Sequence, residues 1–405
     1  MLVEEQTTNA TLHQVDKQYY LPTFNRMPLA FSRGEGAKLW DVEGNEYLDA
    51  LAGIAVCNLG HCHPHVVKKL QEQAAKLMHI SNFFVSEPQV ELSEQLVKRS
   101  GLDRVFFSNS GAESVEGAIK IARKYAHSNG RGGTIISMQK SFHGRTLATI
   151  ATGKKKMQKG FGPMPSGFQK VPFNDIEAVR AAITEEVAAI IVEPVQGEGG
   201  INVAKPCYLR ALRELCDKEN IVLIFDEIQC GVGRTGELFA KDHYEVQPDI
   251  MTLAKGLGNG LPVGAILSNE KVSSTIEFGD HGTTFGGNPM ACAAGLAVLE
   301  AMDQENILQQ TQRKGFWLKE MLDDRLGTHP KLRQIRGLGL MIGVEFDFQT
   351  KPLVLEMLKH GVLANATADN VLRMVPPLVI SYEELERLAD TIVTCINALE
   401  SRGEL

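Results

Sequence analysis

The chain has 405 residues, of which 43% are hydrophobic, so it is long enough for roughly two or three domains with a sizeable core. Its formal net charge is −7 at neutral pH and no long run of like charge occurs, which argues against a nucleic-acid-binding surface. No apolar run approaches the roughly 18 residues of a membrane span, and the polar first residues lack the apolar region of a signal peptide.

The cysteines indicate reduced thiols and not a disulfide framework. They are odd in number and scattered, and no pair has C-x-x-C spacing: Cys57, Cys62, Cys207, Cys216, Cys230, Cys292 and Cys395. This usage predicts a cytoplasmic protein. The stretch 60–64 holds two histidines and a cysteine, but they are nearly adjacent and no second ligand pair has zinc-like spacing, so we predict no metal site.

The N-terminal part of the chain predicts a hairpin followed by helices. Residues 1–30 are expected to be irregular, and the segments 37–42 and 46–49 flank a turn with Gly44 at its centre. Pro64 and Pro88 each begin a stretch with apolar residues on one helical face.

From residue 104 the pattern changes to alternating strands and helices. Short apolar runs predict strands at 105–107, 134–137, 188–192, 221–225, 250–253 and 263–267. Helical stretches lie between several of them, for example 113–125 and 208–218. This alternation predicts an α/β fold whose sheet is mostly parallel and covered by helices on both faces.

Beyond residue 288 the chain is predicted to be helical to about residue 326, with strands at 340–346 and 371–375. A last helix begins at Ser381, which forms a capping box with Glu384. This part has an α+β character and is expected to pack with the N-terminal hairpin. We therefore predict a small domain made of residues 1–60 and 291–405, and a large ligand-binding domain of residues 61–290.

Two charged residues follow buried strands in the middle of the chain. Asp226 ends the run 221–225, and Lys255 ends the run 250–254 and precedes a glycine-rich stretch. In open α/β sheets ligands bind at the carboxyl ends of the strands, so both side chains would reach the same site. One chemistry that needs this pair is that of pyridoxal phosphate (PLP), whose aldehyde bonds to a lysine and whose pyridine nitrogen is held protonated by a carboxylate. Taken singly, each residue is more often a turn residue or a solvated charge.

Other loops after predicted strands have residue types that suit the same site. Small residues in Ser108–Glu113 open a helix, where backbone N–H groups can approach a phosphate. Phe142 and Arg145 follow the strand at 134–137, and could stack on a ring and bind a carboxylate. Two acidic residues and several glycines follow the strand at 188–192, and the stretch 283–289 offers hydroxyls and exposed backbone.

An alternative is a dinucleotide-binding oxidoreductase. Residues 231–236 match G-x-G-x-x-G and follow a strand. However, residues 227–230 separate the strand from the first glycine, and no clear apolar helix follows Gly236. This pattern is therefore weaker than the pattern for PLP.

Taken together, the motifs resemble class III aminotransferases of PLP fold type I over nearly the whole chain. The motifs are SNSGAE, SFHGRT, VEPVQGEGG, FDEIQCGVGRTG, LAKGLGNGLPVG and TTFGGNP. Within the family, the HISNFF stretch and the segments around Glu193 and Asp226 are most similar to members that act on N2-acetyl-L-ornithine. The resemblance implies transamination with 2-oxoglutarate, in arginine biosynthesis, by a homodimer with its active site at the subunit interface.

The resemblance also implies a role for each matching residue. Lys255 would bond to the cofactor and Asp226 would pair with its ring nitrogen. The other cofactor-binding residues of the same subunit would be Gly111, Ala112, Phe142 and Gln229. Thr284 would reach the phosphate of the cofactor in the neighbouring subunit. Arg145 and Thr283 would contact acetylornithine. Arg373 would bind the α-carboxylate of glutamate or 2-oxoglutarate, and Glu198 would pair with an arginine when the second carboxylate is absent.

One departure from the family pattern leaves the substrate open. The subfamily usually has Ser-Gly-Thr where this chain has Ser110, Gly111 and Ala112, so a hydroxyl contact to the phosphate is missing. Alanine at this place occurs in relatives that act on other ω-amines, which keeps succinylornithine, ornithine and 4-aminobutyrate as alternatives. A PLP aminomutase and an inactive binding protein are the remaining alternatives, although the intact Lys255 and Asp226 count against the inactive protein.

Overall fold

The computed structural model describes residues 7–405, which form a central sheet, two smaller four-stranded sheets and flanking helices. The strands are β1 (Phe31–Glu35), β2 (Lys38–Asp41), β3 (Glu46–Asp49), β4 (Arg104–Ser108), β5 (Thr134–Met138), β6 (Phe168–Val171), β7 (Val187–Val192), β8 (Val195–Gln196), β9 (Asn202–Val203), β10 (Val222–Asp226), β11 (Ile250–Leu253), β12 (Gly264–Ser268), β13 (Leu332–Leu338), β14 (Met341–Phe346), β15 (Val362–Leu363), β16 (Asn365–Thr367) and β17 (Val371–Met374). The α-helices are α1 (Asn9–Tyr19), α2 (Ala52–Ala55), α3 (Pro64–Ala74), α4 (Glu87–Ser100), α5 (Gly111–Ser128), α6 (Leu147–Thr152), α7 (Ile176–Ala182), α8 (Pro206–Glu219), α9 (Glu270–Ser273), α10 (Pro289–Gln304), α11 (Ile307–Leu326), α12 (Lys351–Lys359) and α13 (Tyr382–Ser401).

The central sheet has seven strands in the order β4-β12-β11-β10-β7-β5-β6. All pairs are parallel except those of β12, which runs antiparallel to both β11 and β4. The prediction of a mostly parallel sheet is therefore confirmed. Strand β6 and helix α7 have no counterpart in the sequence-based expectations, because 168–171 is short and mixes apolar with polar residues.

Helices cover both faces of the central sheet, as predicted. Along β10, Val222 and Ile224 pack with the apolar side of α5, while Leu223 and Phe225 pack with α8. Because side chains alternate across a strand, a run that is apolar at every position must be buried on both faces. Each such side chain contributes about 1.5–3 kcal/mol when it is removed from water.

The two smaller sheets contain the N- and C-terminal parts of the chain. One sheet has the order β1-β2-β3-β15, so the C-terminal strand β15 pairs in parallel with β3. The other has the order β13-β14-β17-β16. The predicted hairpin is present as β2 and β3. The domain boundaries at residues 60 and 290 remain predictions.

The N-terminus differs from the expectation of irregular structure, because α1 occupies residues 9–19, while residues 1–6 lie outside the described part. Helix α1 is mostly exposed and lacks an apolar face, so periodicity gave no signal; a capping box between Thr8 and Thr11 begins it. The capping box of Ser381 and Glu384 at α13 is confirmed.

No helix in residues 7–405 is both long and apolar enough to cross a lipid bilayer. The seven cysteines are all free, and within the same residues no group of three or more His, Cys, Asp or Glu side chains could hold a metal ion.

Candidate active site

A cavity of about 410 Å³ opens at the carboxyl ends of the central strands. Seven of the residues predicted from the sequence to form the site line this cavity: Gly111, Ala112, Phe142, Arg145, Asp226, Gln229 and Lys255. The shared strand edge explains this convergence, because each of these residues lies at the carboxyl end of β10 or in the segment that follows β4, β5, β10 or β11.

Asp226 is the last residue of β10, and its carboxylate is buried. Its Oδ1 accepts hydrogen bonds from the backbone N–H of Ile228 at 3.1 Å and from the hydroxyl of Thr252 at 3.2 Å. Its Oδ2 lies 2.7 Å from Nδ1 of His143. These three donors compensate for the loss of water around the carboxylate.

His143 is a site residue to which the sequence analysis gave no role. Burial by itself lowers the pKa of this imidazole, but the hydrogen bond to Asp226 and the charges of Asp226 and Glu193 outweigh it, so the pKa is raised. The Nε2 atom is buried without a hydrogen-bond partner among residues 7–405. A signal was present in the sequence, since a buried carboxylate needs donors and His143 lies beside Phe142.

Lys255 lies just after β11, in a single 3₁₀ turn from Lys255 to Leu257. Its φ is +46°, a left-handed conformation that is uncommon outside glycine and that occurs preferentially at functional sites. Burial lowers the pKa of its amine to about 8, against the opposing effect of the Glu198 carboxylate. About a tenth of the amine is therefore neutral at pH 7, far more than in a solvated lysine, and the neutral form is the one that a nucleophile or base requires.

Helix α5 points its N-terminus at the cavity. Ser110 caps the helix by accepting a hydrogen bond from the N–H of Glu113 at 3.2 Å, and Gly111 and Ala112 line the cavity. A Cβ atom on Gly111 would lie 2.9 Å from the side chain of Ile228, so glycine is required here. The unpaired N–H groups and the dipole of a helix start favour a phosphate.

Arg373 on β17 is fully buried beside the cavity. Its guanidinium contacts the carboxylate of Glu198 and donates to Oε1 of Gln229 at 3.1 Å and to Oδ1 of Asn365 at 2.9 Å. Burial alone would raise the pKa of Glu198, but the charge of Arg373 and its hydrogen bond lower it. The Nη2 atom of Arg373 has no partner in the described part of the chain.

Phe142 and Arg145 form one wall of the cavity. The backbone N–H of Phe142 donates to Oε1 of Glu193 at 2.9 Å, which fixes the start of this loop. Burial raises the pKa of Glu193 to about 7, and the nearby charge of Asp226 acts in the same direction. The guanidinium of Arg145 lies 5.4 Å from the centre of the Phe142 ring and is exposed.

Thr283 and Thr284 do not line the cavity of their own chain. The hydroxyl of Thr283 accepts hydrogen bonds from Nδ2 of Asn109 at 3.3 Å and from the N–H of Gly286 at 3.1 Å, and Thr284 is exposed. The roles given to these two residues therefore stay predictions.

The glycine-rich stretch 231–236 is buried and packed. Arg234 at its centre donates to the carbonyl of Leu340 at 3.1 Å and to Oδ1 of Asn58 at 2.6 Å. A Cβ atom on Gly233 would meet the side chains of Met302 and Leu378 at 3.1 and 3.2 Å. This loop therefore joins distant parts of the chain and leaves no room for a dinucleotide.

Known proteins resemble this chain over nearly its whole length. Residues 19–396 match the family model described as aminotransferase class-III. The acetylornithine aminotransferase of Methanocaldococcus jannaschii is 51% identical over 381 residues, which cover 93% of this chain and 96% of the relative. That of Caldanaerobacter subterraneus is 49% identical over 375 residues, covering 92% and 95%. This chain is a class-III aminotransferase.

Solved structures agree with this assignment. An ornithine aminotransferase from Toxoplasma gondii, described with partial occupancy of PLP at its active site, has a TM-score of 0.94 and 36% identity, covering 98% of this chain and 96% of that chain. The acetylornithine aminotransferase of Elizabethkingia anophelis has a TM-score of 0.86 and 33% identity, with 97% and 100% covered. The fold is therefore that of the PLP-dependent aminotransferases.

PLP is the cofactor of this family, and the residues of the cavity fit it. A helix N-terminus with Gly111 suits its phosphate, the buried carboxylate of Asp226 suits its ring nitrogen, and the partly neutral amine of Lys255 suits its aldehyde. When it is bound, PLP supplies an aldehyde for amines and a ring that withdraws electrons from the reacting carbon.

Proposed function

We propose that this aminotransferase transfers the terminal amino group of N2-acetyl-L-ornithine to 2-oxoglutarate, giving N-acetyl-L-glutamate 5-semialdehyde and L-glutamate, as a step of arginine biosynthesis. The observation that carries the proposal is the 44–51% identity to proteins named acetylornithine aminotransferase, over 92–99% of this chain.

Lys255 and Asp226 are the proposed catalytic residues. Nζ of Lys255 takes the proton from the reacting carbon of the substrate and later returns one; its pKa is lowered to about 8, so about a tenth of the amine is neutral at pH 7. Asp226 keeps the ring nitrogen of the cofactor protonated and so stabilises the charge that develops during proton transfer. His143, whose Nδ1 lies 2.7 Å from Oδ2 of Asp226, supports Asp226 in its ionised form.

The remaining cofactor contacts are proposed from the lining of the cavity. The backbone of Gly111 and Ala112 binds the phosphate at the start of α5, and Phe142 stacks on the ring. Gln229 donates to the phenolic oxygen of the ring, because its amide lines the cavity while its Oε1 accepts from Arg373.

The two substrates are proposed to use different charged residues. Arg373 binds the α-carboxylate of 2-oxoglutarate or glutamate, which the free Nη2 of its guanidinium supports. Glu198 pairs with Arg373 when the amino donor is bound. Arg145, which is exposed at the cavity wall, contacts acetylornithine, as does Thr283, which does not line the cavity of its own chain.

We propose a homodimer in which Thr284 binds the phosphate of the neighbouring subunit's cofactor. Large apolar side chains near Thr284 are exposed in the single chain, with Phe83 at 94%, Val85 at 80% and Phe285 at 60%. The amide of Asn82 joins these segments by donating to the carbonyl of Gly286 at 3.0 Å. Such a patch is typical of a protein interface. Sedimentation of the protein as a monomer that binds PLP tightly would contradict this arrangement.

We also propose that the enzyme works in the cytoplasm, and that residues 61–290 form the large domain while residues 1–60 and 291–405 form the small one. The seven free cysteines support a reducing compartment, and the pairing of β15 with β3 supports the domain division. Cell fractionation tests the location, and limited proteolysis tests the boundaries.

Another ω-aminotransferase is the second candidate, because Ala112 replaces the threonine usual in the acetylornithine subfamily and ornithine aminotransferases are structurally similar to this chain. The deciding experiment adds N-acetylornithine to the holoenzyme without 2-oxoglutarate and follows the visible absorbance of the cofactor. We expect N-acetylornithine to react faster than ornithine, succinylornithine and 4-aminobutyrate, and Lys255→Ala to show no turnover. A faster reaction of another ω-amine would keep the reaction type and reassign the substrate.

A further inference from the structure

A second cavity of about 510 Å³ adjoins the active-site cavity on its outer side. Phe142 and Arg145 line both cavities, so the two share one wall. Glu198 and Thr367 line the outer cavity as well, and the hydroxyl of Thr367 donates to the carbonyl of Glu198 at 2.9 Å. The outer cavity therefore adjoins the proposed substrate-binding residues directly.

Positive charge predominates around the outer cavity. The carboxylates that line it are those of Glu198, which contacts the guanidinium of Arg373, and of Asp369. Four cationic side chains line it: Arg145, Lys154, Lys156 and Lys351. The whole chain has a net charge of −7, so this excess of positive charge reverses the overall sign at the mouth of the site.

The lysines are free to attract a ligand. None of Lys154, Lys156 and Lys351 forms an ion pair within residues 7–405. Lys154 is half-buried, while the other two are exposed.

The segment that carries Lys154 and Lys156 is also fixed in position. Residues 155–157 form a 3₁₀ turn, and the side chain of Gln158 donates to the carbonyl of Ile150 at 2.8 Å. The amine of Lys170 contacts the carbonyl of Gly153 at the start of the same segment. The two lysines of this segment are therefore held at the rim of the cavity and do not lie on a free tail.

We propose that Lys154, Lys156 and Lys351 form an anion-recruiting rim that speeds the capture of the dicarboxylate acceptor. This inference rests on the proposed function, in which 2-oxoglutarate is the acceptor. That acceptor is a dianion and gains from a positive rim, whereas the amino donor carries one ammonium and one carboxylate and gains little. Clefts lined by one sign of charge raise the association rate of an oppositely charged ligand, and salt weakens this effect.

The test uses the holoenzyme and measures kcat/KM separately for each substrate at several ionic strengths. We expect Lys154→Gln/Lys156→Gln to lower kcat/KM for 2-oxoglutarate by about three- to tenfold at low salt. The difference shrinks to less than about twofold in 0.5 M salt, because the Debye length falls to roughly 3–5 Å. For the amino donor, kcat/KM changes by less than about twofold at either salt concentration.

A matched control loses the same number of charges from the same segment as the test variant. Lys155 and Lys159 lie in the same segment but do not line the cavity, so Lys155→Gln/Lys159→Gln removes two charges and leaves the capture rate nearly unchanged. The proposal would be wrong if kcat/KM for 2-oxoglutarate fell equally in this control, or if its fall in the test variant persisted at high salt. It would also be wrong if kcat/KM for the amino donor fell by the same factor.

Binding of glutarate separates this inference from the proposed reaction. Glutarate is a dianion without an oxo group, and its binding is followed through the absorbance of the bound cofactor. We expect Lys154→Gln/Lys156→Gln to weaken glutarate binding at low salt and the control not to. If the wild-type protein does not transaminate 2-oxoglutarate but glutarate binding weakens in the test variant and not in the control, the proposed function is wrong and the lysines still recruit dianions. Unchanged glutarate binding in the variant overturns the rim.

Discussion

The lowered pKa of Lys255 gives the most direct test of the site. In the structure burial lowers this pKa from 10.5 to about 8. This lowering corresponds to roughly 3 kcal/mol, and at pH 7 it makes the neutral amine on the order of 10²-fold more abundant than in an exposed lysine. Only the neutral amine can attack the aldehyde of PLP, so the rate of cofactor uptake should report this pKa.

The assay mixes cofactor-free protein with PLP at pH values from 6.5 to 10.5 and follows the absorbance of the lysine-bound cofactor. The rate should rise with pH and level off above a midpoint near pH 8, because the amine loses its proton as the pH passes its pKa. A midpoint near 10 would refute the argument, since it would show that the amine is as basic as a solvated lysine.

Two substitutions sharpen this measurement. The negative charge of Glu198 raises the pKa of Lys255, so Glu198→Gln should move the midpoint to lower pH. Asp369 also carries a negative charge and lines the adjoining outer cavity, but it is not among the charges that act most on Lys255, so Asp369→Asn should leave the midpoint in place. If the midpoint does not move in Glu198→Gln, the charge of Glu198 does not affect the pKa of Lys255.

Substitutions at three further residues test the groups around the proposed cofactor site. Asp226→Asn should still bind PLP but lose about 10²–10³-fold in kcat, because an amide cannot hold the ring nitrogen protonated; a near-wild-type kcat would remove Asp226 from its role. His143→Leu should lower the unfolding free energy of the cofactor-free protein by about 2–4 kcal/mol in denaturant titrations. His143→Gln should lower it by less, because glutamine keeps a donor for Asp226. Equal losses in the two variants would mean that only packing matters at this position. Gly111→Val should weaken PLP binding at least about tenfold in equilibrium titrations, because its Cβ would lie 2.9 Å from Ile228, and unchanged affinity would disprove the need for glycine.

Much of the fold and the centre of the site could be predicted from the sequence because both depend on local patterns. A run such as 221–225, apolar at every position, fits a strand buried on two faces. Once the sheet is parallel, its carboxyl ends fall at one edge, so Asp226 and Lys255 meet there without any knowledge of the connecting loops.

The rest depended on contacts that sequence periodicity does not record. The direction of β12 is one example, since the apolar run at 263–267 fits a strand in either direction. The hydrogen bond between His143 and Asp226 joins residues 83 positions apart. The sequence indicates that a buried carboxylate needs donors, but it does not show which distant residue supplies one. Thr284 is a different case. The phosphate that it is expected to bind belongs to another subunit, so its side chain is exposed in the single chain.

The turn after β7 connects residues proposed to bind the cofactor with residues proposed to bind the substrate. Glu193 begins it and accepts hydrogen bonds from the N–H groups of Phe142 at 2.9 Å and of Gly197 at 3.2 Å. A Cβ atom on Gly197 would lie only 2.0 Å from Oε1 of Gln229, so the turn packs directly against a side chain that is proposed to bind the cofactor. The next residue in the turn, Glu198, contacts Arg373. If Arg373 binds the substrate as proposed, a change in its contacts therefore acts on a turn whose other end holds the backbone of Phe142, the residue proposed to stack on the cofactor ring.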